Sequence, residues 1–173
     1  MPEEMFDVVD QDDRVLFQSP RSVVHANHWL HRAVHIFVFN SQGELLVHRR
    51  SATKDEAPLK ITSSASGHLA AGEDYATAAV RELDEELGLK APIEYLGIFP
   101  ANGAETSYEH SGLYRAITDA TPVFDPEEIL SGEYHPLSEI GEMIRNDPDD
   151  FTHCFRSLFR WYTEKILPHS PKV

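Results

Sequence analysis

One segment constrains this chain more than any other. Across residues 73–87, Ala76, Ala79, Val80, Leu83 and Leu87 recur at helical spacing, and Gly88 follows as a stop. The spacing predicts a helix that must lay an apolar stripe on a core. Its second half nevertheless carries Glu82, Asp84, Glu85 and Glu86. Glu82 stands at neighbour spacing to both Glu85 and Glu86, so three carboxylates share a face, at a cost of ~0.2–0.5 kcal/mol per like-charged pair. They also sit near the helix C-terminus, where the macrodipole disfavours anions. A helix with a purely structural role would place cations there. Oxygen-rich clusters of this kind bind hard divalent cations such as Mg²⁺ or Mn²⁺.

The remaining elements fit around that helix. Residues 6–10 and 14–18 read as two short strands about a polar turn, an N-terminal hairpin extension over residues 1–31. Ser19-Pro20 reads as a capped helix start, with a short helix over 21–30. Residues 32–39 and 44–49 read as a strand pair about an Asn-Ser-Gln-Gly turn. Further strands are expected at 61–65, 93–99, 113–117 and 133–136, and helices at 137–145 and 151–167. The mixture predicts an α/β protein, one mixed sheet with helices on both faces, in a single domain over 1–173. No apolar run approaches the length of a membrane helix, and the acidic start lacks a signal pattern, so a cytoplasmic protein is expected. The formal net charge is −14, which disfavours binding to a nucleic acid duplex. The same charge requires cations or a local basic patch wherever an anionic substrate binds. Cys154 is the only cysteine, so no internal disulfide forms; among aromatic neighbours it reads as a small packed hydrophobe.

The residues preceding the acidic cluster sharpen the picture. Together they read Gly67-x5-Glu73-x7-Arg81-Glu82-Leu83-x-Glu85-Glu86-x-Gly88-Leu89. Seven positions are fixed; at roughly one in fifteen each, they coincide by chance on the order of once in 10^8 starts. This segment, residues 67–89, resembles the signature box of the Nudix hydrolases at every defined position. The resemblance implies a loop–helix–loop in an α/β/α sandwich that cleaves a diphosphate linkage in a small molecule with Mg²⁺ or Mn²⁺. It implies metal ligands at Glu82, Glu85, Glu86 and the backbone carbonyl of Ser66. Glu73 and Arg81 pair structurally, and Gly67 and Gly88 serve the flanking turns. Glu82, Glu85 and the more distant Glu109 are the candidate proton acceptors, in that order.

A finer resemblance, over residues 8–114, is to the isopentenyl-diphosphate isomerase branch of the same superfamily. His25 and His31 flank the first core strand, Arg49-Arg50-x-x-x-Lys54 follows the second, and Ser66-Gly67-His68 and Glu109 come later. In that branch, residues similar to His25, His31 and His68 hold a metal, and residues similar to Arg50 and Lys54 contact diphosphate. The departures favour hydrolysis. Ser66 stands where the isomerases carry an essential cysteine, Ser107 replaces a metal-binding glutamate, and the box here is complete. A prenyl-diphosphate enzyme and a non-catalytic binding module are the alternatives. Residues 51–60 and 100–111 are the expected specificity loops. Trp29, Tyr108 and Tyr114 read as core residues before they read as base-stacking ones, and either a monomer or a homodimer is compatible with the aromatic C-terminal helix.

Overall fold

The computed structural model describes residues 2–170. Among the described residues, nine strands and four α-helices follow in the order β1 (Met5–Val9), β2 (Val15–Pro20), α1 (Arg21–Ala26), β3 (His31–Phe39), β4 (Leu45–Arg50), β5 (Ile61–Thr62), β6 (Ala65–His68), α2 (Tyr75–Leu87), β7 (Ile93–Phe99), β8 (Glu109–Ile117), β9 (Ile129–His135), α3 (Leu137–Asn146) and α4 (His153–Trp161).

β3 is the spine of a seven-stranded mixed sheet. It runs parallel to β8 along its whole length, with His31 opposite Glu109. The expected β3–β4 hairpin closes only at Phe39 and Leu45. Beyond that point the strands part. β6 takes the freed edge of β3, while β5 and β9 pair with β4. Ser64 is the wedge: its hydroxyl accepts from Val38 N–H at 2.8 Å and donates to the Leu46 carbonyl at 2.5 Å. One side chain thus replaces the ladder bonds that the two strands cannot exchange.

Alternation along β3 divides the core. Val34, Ile36 and Val38 face α2 together with Ala79, Leu83 and Leu87. Phe37 and Phe39 face the other way, against Phe155, Leu158 and Tyr162 at the C-terminal end. Helices therefore cover both faces, as the α/β/α expectation requires. Full burial of a side chain such as Leu83 or Leu87 stabilises this layering by about 1.5–3 kcal/mol.

Several boundaries differ from the sequence expectation. Ser19 and Pro20 belong to β2, where Ser19 pairs with Phe6, so the ladder rather than a cap claims them. The following helix stops at Ala26, and His28 adopts a left-handed φ of 52°. The long acidic helix starts at Tyr75, with the Asp74 carboxylate accepting from Thr77 N–H; Glu73 lies outside it. Val80 and Ala76 are exposed, and the buried stripe is Ala79, Leu83 and Leu87 flanked by Ala78, Glu82 and Glu86. The last helix is shorter than expected: Thr152 caps it, and the chain leaves it through a π turn at Tyr162–Ile166 and a 3-10 turn containing Pro168.

Candidate active site

β6 separates two groups of chemically active side chains. Opposed residues on neighbouring strands point to the same face. Gly67 pairs with Val34 and so faces α2; Ser66 pairs with His35 and His68 with Ala33, and these face the α4 side.

On the α2 side lies the acidic face. Glu82 and Glu86 are buried and Glu85 is largely exposed, and all three open on one cavity of about 560 Å³. Gly67 leaves room for the Glu82 carboxylate as it stands, because a Cβ at that position would push it away. Glu86 accepts a 3.1 Å bond from the Ser66 N–H. Arg81 is forked onto Glu73, donating from Nε and Nη2 at 2.9 Å each, and reaches Glu82 at 2.6 Å. Glu73, freed from the helix, also accepts from Ala70 N–H at 2.9 Å and so ties the entry loop to the helix. Gly88 takes the left-handed φ of 59° that ends α2. Burial pushes the Glu82 carboxyl up to about 7, against the pull of Arg81. Burial, with Glu82 beside it, pushes Glu86 well above the usual carboxylate range. Two buried carboxyls, of which Arg81 touches only Glu82 while forked onto Glu73, form a site short of positive charge.

On the other side, the N-terminal extension brings His25 to His31 and His68. One donor atom from each of the three lies within 4.8 Å of the others. The Nε2 atoms of His25 and His31 are buried without a hydrogen-bond partner. His31 Nδ1 donates to the Trp29 carbonyl at 2.9 Å; burial disfavours charge on the ring, but Glu109 beside Nε2 outweighs it and raises the His31 pKa, so a cation bound at Nε2 would take the place of a proton there. His25 Nδ1 faces Glu56 at 3.3 Å. Glu109 Oε1 lies 2.9 Å from His68 Nε2 and 3.6 Å from His31 Nε2. Burial opposes charge on Glu109, but His31 and His68 outweigh it and hold the carboxyl well below the usual range. Phe6 of the hairpin closes the cluster, 4.8 Å from the His68 ring.

The basic residues take different parts. Lys54 Nζ donates to Glu128 at 2.6 Å and Arg50 donates to the Glu56 carbonyl at 3.0 and 3.1 Å; both line the cavity. Arg49 points away and is paired with Asp150 at 2.7 Å. Of the two expected specificity loops, the first contributes Lys54, Glu56, Ala57 and Lys60, and the second contributes Ser107 and Glu109. A third wall, Phe151–Cys154 and Arg156 at the start of α4, was not anticipated, nor were His35 and Glu128. His35 was findable, since it stands two alternations along β3 from His31. Glu128 carries no local signal. Trp29 packs on Phe17, Tyr108 stacks on His28, and Tyr114 is buried under α2; none of them lines the cavity.

Fold and site together define a class: an α/β/α sandwich with helix-borne carboxylates and a histidine cluster suited to divalent cations. The comparisons agree. A model of the NUDIX domain matches residues 29–162. An isopentenyl-diphosphate Delta-isomerase of Photorhabdus laumondii is 32% identical, over 90% of each chain. An uncharacterised Nudix hydrolase of Yersinia pestis is 35% identical, over 92% of this chain and 86% of its own. The crystal structure of DR0079 from Deinococcus radiodurans superposes with a TM-score of 0.79 at 28% identity, over 91% of this chain and 98% of that one. The chain belongs to the Nudix family. Among the described residues, no helix is long and apolar enough to cross a membrane.

Proposed function

We propose that this chain acts as one domain, a hydrolase that cleaves a diphosphate linkage in a small molecule with Mg²⁺ or Mn²⁺ held by Glu82, Glu85, Glu86 and the Ser66 carbonyl. The observation that carries the reading is the acidic face of α2: three carboxylates, two of them buried, opening on one cavity. A divalent cation bound there neutralises charge on the diphosphate and acidifies a water. The chain does the rest. The Arg81–Glu73 fork fixes the helix against the entry loop, Gly67 lets the Glu82 carboxylate approach the backbone, and Lys54 and Arg50 sit where phosphate oxygens would displace their present partners. Glu82 and Glu85 are the proton acceptors. Glu109, engaged by His68 and held ionised, suits cation binding on the His25–His31–His68 cluster better than proton uptake. The single cysteine and acidic charge suit a cytoplasmic enzyme. Metal-dependent turnover of a diphosphate panel, lost in Glu85→Gln, is the expected result; metal-independent turnover would overturn the reading.

A second reading rests on the isomerase relatives and the histidine cluster: action on an isoprenoid diphosphate. Ser66 at the position of the isomerases' cysteine argues against double-bond isomerisation, because serine is a far poorer acid. Incubation with isopentenyl diphosphate tests it: isomer without phosphate release would show an isomerase, phosphate release would show a hydrolase that takes an isoprenoid diphosphate, and neither product would overturn this second reading.

A further inference from the structure

β3 carries a second histidine on the face of His31. His35 is buried, its Nδ1 hydrogen-bonded to the Ser63 hydroxyl at 2.7 Å. Its Nε2 lies 3.5 Å from Cys154 Sγ, and that sulfur lies 3.6 Å from Ser111 Oγ. The Glu109 carboxylate completes the group: the donor atoms of His35, Glu109 and Cys154 all lie within 4.8 Å of one another. All three residues line the cavity. Neither His35 nor Cys154 has a part in the hydrolysis described above.

We propose that His35, Glu109 and Cys154 form a further metal site, taking a borderline-soft divalent cation of the Zn²⁺ type. Imidazole, thiolate and carboxylate are the donors such a cation takes, whereas Mg²⁺ prefers oxygen alone. The spacing fits. Tetrahedral bonds of ~2.3 Å to sulfur and ~2.05 Å to nitrogen put those two atoms about 3.6 Å apart, against 3.5 Å here. Ser63 fixes the ring from behind, as outer partners of ligating histidines do. Three protein ligands leave a fourth position open to the cavity, the arrangement of a working rather than a purely structural zinc site. The two sides of β6 are thereby sorted chemically, with oxygen donors on α2 for a hard cation and mixed donors opposite for a softer one. Glu109, whose Oε1 faces His31 and His68, also belongs to this second set and would couple the two clusters.

The test does not depend on turnover, so its failure is distinct from failure of the hydrolase reading. The full chain, stripped with chelator, is titrated with Co²⁺ and followed by absorbance. Cys154 is the only cysteine, so a thiolate-to-cobalt charge-transfer band has no other source. A band that saturates with added Co²⁺, and is lost in His35→Ala, is expected. No band in the wild type at saturating Co²⁺, or a band unchanged in His35→Ala, overturns the site. A measurement on the wild type alone guards against misfolding of the variant: Zn²⁺ is expected to slow Cys154 modification by a thiol reagent by roughly tenfold or more. Equal rates with and without Zn²⁺ overturn the proposal.

Discussion

Gly67→Ala is the perturbation that most sharply separates a carboxylate placed for chemistry from one that merely sits on a helix. The added Cβ would stand 2.7 Å from Glu82 Oε2, and the rest of the carboxylate would lie closer still. Ordinary contact begins at 3.4 Å, so the carboxylate must withdraw by about 1 Å or more. The group that moves is the far end of a flexible side chain. Its displacement to a poorer rotamer costs about 0.5–1.5 kcal/mol, and the fold survives. Function does not tolerate the shift so well: a misplacement of ~1 Å costs on the order of 10²-fold in rate. The signature is therefore lopsided. Urea unfolding of Gly67→Ala should show a loss of about 1 kcal/mol. Mn²⁺ affinity by calorimetry should fall clearly, and turnover should drop by about two orders of magnitude. A folded Gly67→Ala protein with unchanged Mn²⁺ affinity would refute the assignment of Glu82 as a metal ligand.

Three further outcomes follow from the same geometry. The Glu82 pKa of about 7 lies above the 4.5 of the unfolded chain, so its contribution to stability is full below pH 4.5 and is lost as pH rises towards 7. In chelator, the wild type should lose about 3 kcal/mol more than Glu82→Gln across that window, and parallel urea midpoints would contradict the shift. Glu73→Gln leaves Arg81 without its charged fork and should cost about 1–2 kcal/mol in chemical denaturation; a change within error would show the pair to be ornamental. Lys54→Ala removes a cation from the cavity and should raise KM by roughly 10- to 100-fold with a smaller effect on kcat, whereas an unchanged KM would remove Lys54 from phosphate binding.

The parts of this molecule legible in the sequence are those set by local pattern. The helical spacing around Leu83 and Leu87 and the left-handed stop at Gly88 depend on neighbours a turn away, and both were readable. So was the acidic face of Glu82, Glu85 and Glu86, because it contradicts what a structural helix would carry. The splaying of β3 from β4 was not readable, since the wedge is Ser64, a residue with no local signature that acts across strands. Ser19-Pro20 imitated a helix start because a cap motif and a strand end use the same residues; the pairing of Ser19 with Phe6 decided between them. His25, His31 and His68 were grouped by resemblance, and the structure brings them together through a hairpin that spacing alone does not position. Cys154 is a packed core thiol, as read, but its tertiary neighbours were not legible. Its aromatic neighbours in α4 describe a packed thiol, and only the tertiary fold sets it beside His35 and Glu109.

The most direct test of the account is turnover of a diphosphate panel in ¹⁸O-labelled water, with and without Mg²⁺ or Mn²⁺, beside Glu85→Gln. The panel should include nucleoside diphosphate sugars, dinucleoside polyphosphates, coenzyme A and prenyl diphosphates. Label is expected in a phosphate product of one class, only with the cation, and strongly reduced in the variant. Unlabelled phosphate throughout, with isopentenyl diphosphate converted to its isomer, would contradict it.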